Sequence, residues 1–198
     1  ILFDRFSLQN ANMVVFATSG AGKSYAIKLE VLRSLMLGVD VIIIDPEMEY
    51  KHLSDAVGGT YVNISLSSDS KINPFDLPRA VGSEVDTGDI IRSAVITLKG
   101  LVRLMLGGGQ SFSPSEDAII DRALLETYAK KDIVPGVDLS SVEPPIMQDL
   151  QEILEGMTGG DELVLKLQKY TDGTFAGLFN SPTNVDTHNQ LVVFSVRD

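Results

Sequence analysis

A lysine and a serine stand where a short apolar run meets a helix-forming run. The run Met13–Ala17 (MVVFA) leads into a loop of small residues, and the helical stretch begins at Lys23 and Ser24. A helix N-terminus offers unpaired N–H groups and the positive end of the helix dipole. Gly20 and Gly22 let the backbone of the loop approach a ligand closely. This pattern predicts an anion-binding loop with a geometry suited to phosphate.

The spacing of the loop fits the P-loop motif G-x-x-x-x-G-K-[ST], with Ala17 in place of the first glycine. In that motif the lysine contacts the β- and γ-phosphates, and the serine hydroxyl binds Mg²⁺. We therefore predict a site for ATP or ADP with Mg²⁺, in which Lys23 is catalytic and Ser24 is a metal ligand. The alternative is a chance glycine-rich turn between a strand and a helix. The predicted nucleotide-binding residues are Thr18, Ser19, Gly20, Ala21, Gly22, Lys23, Ser24 and Tyr25.

A second candidate is the stretch VIIIDPEMEY, residues 41–50, in which an apolar strand ends in Asp45 and Glu47 follows. In a Walker B motif the aspartate orders Mg²⁺ and the glutamate activates the attacking water. Asp45 is therefore a candidate metal ligand and Glu47 a candidate catalytic residue. However, this strand directly follows the P-loop helix, whereas motor-type P-loop ATPases carry Walker B later in the chain. A supporting role for Asp45 at the carboxyl edge of the sheet stays open.

The order of predicted elements indicates an α/β fold. Apolar or alternating runs predict strands at 13–17, 39–45, 60–65 and 190–196, and helical periodicity predicts helices at 23–37 and 49–58. The first strand–helix–strand unit predicts a right-handed parallel crossover. The helix at 23–37 is apolar nearly all round, so we expect it to pack on the sheet and to be covered from outside as well.

Residues 80–180 have a different, helical pattern. Helices are predicted at 88–106, at 113–131, around Met147–Met157 and at 161–170. Ser113, Pro114 and Glu116 fit the N-cap, N1 and N3 positions of a helix start. We therefore predict a partial parallel sheet of the P-loop NTPase kind with an inserted all-helical subdomain. The predicted divisions are 1–79 for the first part of the core, 80–180 for the insertion and 181–198 for the returning strand.

Composition excludes several classes of function. The 198 residues include no cysteine and only two histidines, which excludes disulfides and thiolate metal sites and argues against a zinc site. No run reaches the ~18 apolar residues of a membrane span, and no signal peptide is visible. A net charge of −11 argues against DNA binding by bulk electrostatics. Arg92, Lys99 and Arg103 share one predicted helix face, either a solvated polar face or a contact for nucleic acid or an acidic partner.

Four segments together resemble one family: NMVVFATSGAGKS, VIIIDPEMEY, INPFDLP and DGTFAGLFNSPTN. The chain resembles the carboxy-terminal motor domain of the conjugation and type IV secretion ATPases. This is the TraC/TrbE family of VirB-type traffic ATPases, which is related to HerA/FtsK-like motors. The resemblance implies ATP hydrolysis, hexameric rings and an all-helical insertion. It also implies docking at the cytoplasmic face of the bacterial inner membrane, with other secretion-channel subunits and a coupling ATPase as partners, and DNA as a further candidate.

By residue match, Thr18–Ser24 correspond to the phosphate loop, and Asp45, Glu47 and Tyr50 to the motif of the second strand. The acidic pair of the family's Walker B strand has no match up to Asp198, and no arginine finger is assigned, although Arg197 near the end of the last strand is a candidate. The chain starts at Ile1 without Met and stops as a strand ends. We expect a piece of a longer ATPase that is inactive alone.

Three functions from different classes remain open at this point. The first is a ring ATPase that powers transfer of DNA or protein across a membrane. The second is a P-loop small-molecule kinase with a lid in the helical insertion, but such lids carry several arginines, and this insertion has only Arg92, Arg103 and Arg122 among many acids. The third is a nucleotide-binding switch module without turnover.

Overall fold

The computed structural model describes residues 5–66, 68–78, 86–107 and 112–196. The chain divides into two compact units, one that combines the residues up to Tyr61 with Thr187–Ser195 and one that comprises Val62–Asp186. The first unit contains two strands of a three-stranded sheet and the first half of the third strand, and the second unit contains the other half of that strand and a set of helices. The predicted α/β class, with a partial parallel sheet and a helical region, is confirmed. The division at residues 79/80 and 180/181 stays a prediction.

Three short strands form the sheet. They are β1 (Val41–Asp45), β2 (Thr60–Asn63) and β3 (Leu191–Ser195), in the order β1-β3-β2. β1 and β3 pair in parallel, with Val41 opposite Leu191 and Asp45 opposite Ser195. The carboxyl ends of these two strands therefore lie side by side at the same edge of the sheet. Two helices accompany them, α1 (Lys23–Met36) and α2 (Lys51–Val57), and a 3₁₀ helix spans Arg5–Ser7.

Helix α1 packs on the sheet through a stripe of residues spaced one turn apart. Ile27, Val31 and Leu35 belong to one apolar cluster with Ile43 of β1 and Val193 of β3. A spacing of four residues keeps side chains on the same face of a helix, and alternate residues share one face of a strand. The apolar stripe of α1 and the apolar face of the two strands therefore pack against each other.

Two contacts fix the direction of α1. Near its carboxyl end, the carbonyl of Leu35 accepts a hydrogen bond from the side chain of Gln190, just before β3 begins (2.9 Å). In its second turn, the Lys28 ammonium lies 5.2 Å from the ring centroid of Tyr50, which follows the end of β1. α1 therefore runs antiparallel to both strands, and its N-terminus lies at their carboxyl ends.

Two predictions about this unit are wrong. Residues 13–17 form no strand, and the side chains of Val14 and Phe16 are 75% and 91% exposed. A strand needs a neighbour to pair its backbone groups, and the described sheet places none beside this run. The crossover expected from this strand to β1 is therefore not observed. α1 is also not covered from outside, because Tyr25 and Met36 are exposed.

The second unit is built from five helices among its described residues. They are α3 (Thr87–Gly107), α4 (Pro114–Ala129), α5 (Met147–Glu155), α6 (Asp161–Thr171) and α7 (Ala176–Phe179), with a 3₁₀ helix at Leu139–Ser141. Side chains of α3 to α6 form one buried cluster with Phe75. The predicted start of α4 is correct: the Ser113 hydroxyl accepts from Glu116 N–H (3.3 Å), and the Glu116 carboxylate accepts from Ser113 N–H (2.8 Å).

The segment INPFDLP is anchored in this helical core. The side-chain amide of Asn73 donates to the carbonyl of Pro145 (2.9 Å), and its oxygen accepts from Phe75 N–H (3.1 Å). Phe75 is fully buried, and its carbonyl accepts from the hydroxyl of buried Tyr128 (3.0 Å). Every polar group named here is paired, as burial of polar groups requires.

Two leucines of α6 offer a test of this core. Leu163 is fully buried, whereas Leu165 is 68% exposed. We expect Leu163→Ala to lower the free energy of unfolding by about 2–5 kcal/mol, because a buried leucine loses its contacts and leaves a cavity. Leu165→Ala should change it by no more than about 0.5 kcal/mol, since surface changes have small effects. Urea unfolding followed by circular dichroism measures both variants, and equal losses would contradict this description of the core.

Candidate functional site

The loop before α1 has the backbone of an anion-binding turn. Gly22 precedes the helix in the left-handed conformation (φ 88°) and is an N-cap without a side-chain hydrogen bond. Gly20 also has a positive φ (78°), a conformation that residues with a Cβ rarely adopt. Ala21 N–H donates to the carbonyl of Thr18 (3.1 Å), which closes the turn. The N–H groups of the first turn of α1 therefore have no side-chain cap in the described structure, and an anion would supply the acceptors that they need.

The predicted nucleotide-binding residues are accessible. Residues 18–23, from Thr18 to Lys23, are exposed, and Ser24 is half-buried. Tyr25 is 72% exposed, so its ring presents a free surface beside the loop. The open position of these residues fits a ligand of the size of a nucleotide better than a buried ion.

Asp45 organises the turn that follows β1. It is 1% exposed, and its two carboxylate oxygens accept from the backbone N–H groups of Glu47 (3.2 Å) and Tyr50 (2.9 Å). Met48, within the same turn, has a positive φ of 58°. A buried carboxylate needs such donors, and each of the two bonds fixes the course of the backbone. This geometry favours the supporting role for Asp45, while one lone pair on each oxygen remains for a water molecule.

Tyr50 links this turn to α1. Burial raises the pKa of the Tyr50 hydroxyl, and the carboxylates of Glu49 and Asp45 raise it further. The Lys28 ammonium lies over the ring, a cation–π contact that favours the observed packing. The turn at 45–50 and the second turn of α1 are therefore held together.

The loop before α1 lies at the same height along the strand direction as the carboxyl ends of β1 and β3. From Leu35 back to Lys23, α1 extends about 18 Å at its rise per residue. From Gln190 to Ser195 the strand extends about 17 Å. Because the side chain of Gln190 bonds to the carbonyl of Leu35, Lys23 is roughly level with Ser195 and its neighbour Asp45. The structure thus brings the predicted loop and the predicted carboxylate to one edge of the sheet. Arg197 lies outside the described residues.

Ser195 is a residue at this edge that the sequence analysis does not single out. It is fully buried at the end of β3, and its hydroxyl has no hydrogen-bond partner among the described residues. Its neighbour in the parallel register is Asp45. No local motif marks this serine, because the pairing joins segments that are far apart in the chain.

The residues at this edge fit a phosphate and Mg²⁺. The uncapped N–H groups and the left-handed glycines suit phosphate oxygens. Within the described part of the chain, no three His, Cys, Asp or Glu side chains cluster as a metal site. Mg²⁺ does not need one, because it keeps several waters and takes its remaining ligands from one or two protein groups and the substrate phosphates. Ser24 and Asp45 are the protein groups available here.

The cations of α3 are paired with carboxylates rather than arranged as an open basic patch. The hydrogen bond from Arg103 holds the pKa of Asp117 below its ordinary value, and Lys99 adds to the effect. Arg122 of α4 is likewise paired, with Glu126 (2.7 Å). This pairing favours the solvated polar face and disfavours a kinase lid that clamps phosphates. The pairs on α3 are Arg92–Asp89, Lys99–Asp121, Lys99–Asp117 and Arg103–Asp117.

Comparisons with known proteins agree with the resemblance drawn from the motifs. The family model of the TraG P-loop domain matches residues 3–198. The solved structure of VirB4 of Thermoanaerobacter pseudethanolicus superposes with a TM-score of 0.79 and 28% identity. The match covers 98% of this chain and 53% of that one, so this chain spans about half the length of VirB4. The resemblance to the VirB-type ATPases is confirmed.

A third similarity is local. The potassium-transporting ATPase KdpC subunit 2 of Nostoc sp. is 31% identical over 90 residues, which cover 39% of this chain and 45% of that protein. A match over less than half of either sequence does not place this chain in the KdpC family.

The role of Asp45 in its turn can be tested without a ligand. Asp45→Ala should lower the free energy of unfolding by about 1–3 kcal/mol in a Mg²⁺-free buffer, because the N–H groups of Glu47 and Tyr50 lose their acceptors. Glu47→Gln, at an exposed position of the same turn, should leave it nearly unchanged. Denaturant unfolding measures both. An Asp45→Ala variant as stable as the wild type would show that the carboxylate does not hold the turn.

Proposed function

The chain belongs to the TraG P-loop domain family, and on that premise we propose that it is an ATP-hydrolysing motor domain that energises conjugative DNA transfer or type IV secretion across the cell envelope. The observation that carries the proposal is the position of the loop. Gly20–Ser24 lead into the N-terminus of α1 at the edge of the sheet where Asp45 lies. In α/β folds, ligands bind outside the carboxyl ends of the strands.

Each residue of the loop has a proposed role. The backbone N–H groups from Thr18 to Gly22 and of the first turn of α1 surround the phosphates. The exposed ammonium of Lys23 contacts the β- and γ-phosphates as a mobile charge, and Tyr25 borders the nucleotide. When bound, Mg²⁺ neutralises the charge that develops on the phosphate oxygens, and the Ser24 hydroxyl would be its ligand.

The two carboxylates after β1 have different environments, which supports different roles. Asp45 is buried and its oxygens accept backbone hydrogen bonds, so we assign it to the organisation of the turn and to the region of the metal. Glu47 is exposed at the same edge, and its side chain makes no hydrogen bond to another described residue. A free carboxylate near a phosphate can orient an attacking water. Glu47 is therefore the candidate for this catalytic role.

Assembly and location follow from the family alone and are proposed on that basis. We propose a hexameric ring at the cytoplasmic face of the bacterial inner membrane, with other secretion-channel subunits and a coupling ATPase as partners. DNA is a further candidate, but the paired cations of α3 offer it no support. Within the described residues, no helix has the length and apolar composition that a membrane crossing requires. The proposed divisions remain 1–79 and 181–198 for the core and 80–180 for the helical insertion.

A nucleotide-binding switch without turnover is the second candidate. One observation favours it: both oxygens of Asp45 accept hydrogen bonds from the backbone. Turnover in the full-length protein distinguishes the two functions, since a switch binds nucleotide and releases no phosphate.

The phosphate loop can be tested with two charge deletions on the same helix. Lys23→Ala in the full-length protein should abolish ATP turnover and leave the unfolding temperature unchanged, because the exposed ammonium has no part in the core. Arg33→Ala removes the same charge from an exposed position at the other end of α1 and should keep turnover. Phosphate release, measured with and without DNA, checks both. Persistent turnover in Lys23→Ala would refute the assignment of the loop.

Residues 1–198 alone should bind nucleotide weakly and release no phosphate at a steady rate. Glu47 is the candidate for the water-orienting carboxylate, but hydrolysis in motor-type sites also needs a positive charge from a neighbouring subunit, and loss of such a group costs about 10³-fold or more in rate. Purified, folded protein and a phosphate-release assay make the test. Steady turnover that Glu47→Gln removes would contradict this prediction and identify β1 as the catalytic strand.

A further inference from the structure

Three buried hydroxyl groups of the first unit have no hydrogen-bond partner among the described residues: Ser54 Oγ, Tyr61 OH and Ser195 Oγ. Burial of an unpaired polar group is unfavourable, so each such group calls for a physical explanation. One explanation is a water or ligand that binds there. The positions of Ser195 and Ser54 in the fold show which of these two a nucleotide site can explain.

Ser195 and Ser54 lie at opposite ends of β3. Ser195 is the last residue of the strand and lies beside Asp45 at the carboxyl edge. Ser54 lies near the amino end, because a Cβ placed on Gly59 would be 2.9 Å from the carbonyl oxygen of Leu191 and 3.0 Å from Ser54 Oγ. From Leu191 to Ser195 the strand extends about 13 Å. Of these two hydroxyls, only that of Ser195 is therefore at the edge where the phosphate loop lies.

The side chain of Ser195 also lies on the face of the sheet that α1 covers. Alternate residues of a strand share one face, so Ser195 points to the same side as Leu191 and Val193. These two residues pack in one cluster with Ile27 and Val31 of α1. The N-terminus of this helix, with Lys23 and Ser24, reaches the level of Ser195. The hydroxyl is thus on the side of the sheet where the Mg²⁺ of a bound nucleotide would lie.

We propose that Ser195 is a positioning residue of the nucleotide site, and that its hydroxyl hydrogen-bonds a water molecule of the Mg²⁺ shell. Adjacent parallel strands lie about 4.8 Å apart, a spacing that lets one water bridge Ser195 Oγ and the free lone pair of an Asp45 oxygen. Mg²⁺ releases its waters reluctantly, so two buried acceptors for such a water would fix the ion relative to the loop. This inference rests on the proposed nucleotide site and adds a residue from β3 to it.

The experiment compares Ser195→Ala with Ser54→Ala in the full-length protein. Each variant removes one buried, unpartnered hydroxyl close to β3. Any purely structural effect on stability should therefore be similar in the two variants. The measurement is the dissociation constant of a fluorescent, non-hydrolysable ATP analogue with Mg²⁺ and with EDTA, together with thermal unfolding of both variants. We expect Ser195→Ala to weaken binding roughly 3–10-fold with Mg²⁺, the effect of one lost hydrogen bond, and not with EDTA. Ser54→Ala should match the wild type in both buffers.

Three results would overturn the inference. Binding by Ser195→Ala could equal that of the wild type with Mg²⁺, the loss could be the same with EDTA, or Ser54→Ala could lose as much. In these cases the nucleotide site stands and only the role of Ser195 is refuted. A wild-type protein that binds no analogue in either buffer would instead refute the proposed function, and the role of Ser195 with it.

Discussion

The parallel pairing of β1 with β3 is the contact on which the candidate site depends. It aligns Asp45 with Ser195, and it provides the face on which Ile27, Val31 and Leu35 seat α1. Without this pairing the turn at 45–50 and the predicted phosphate loop would have no fixed positions relative to each other. The site is therefore a property of the edge of a sheet, and its residues come from segments that only the fold brings together.

Within that edge, each element is held by a different kind of interaction. Apolar packing seats α1, hydrogen bonds from the backbone to Asp45 shape the turn, and the cation–π contact of Lys28 with Tyr50 joins the two. The shape of the loop itself depends less on contacts than on the positive φ angles of Gly20 and Gly22, which glycine adopts without steric cost. A rigid support with an open loop suits a site that must admit and release a charged ligand.

Local signals predicted the parts of the fold that local forces determine. The capping residues Ser113 and Glu116 predicted the start of α4, and the Gly22-Lys23 junction predicted the start of α1. The run at 13–17 was misassigned because a strand is defined by its partner, and composition alone does not supply one. No local pattern marks Ser195 for the same reason, since its neighbour Asp45 is distant in the chain. The glycine turn before α1 could be predicted, and the polar surroundings beneath it could not.

The distance in sequence between β1 and β3 has a consequence during synthesis of the protein on the ribosome. β3 follows β1 by roughly 150 residues, and a ribosome that adds ~5–20 residues per second needs about 7–30 s to make them. During that time the apolar strand VIIID has left the ribosome without the neighbour that pairs its backbone. Exposed apolar strands attract other chains. The interval thus lengthens the time during which this strand can pair with another chain instead of with β3.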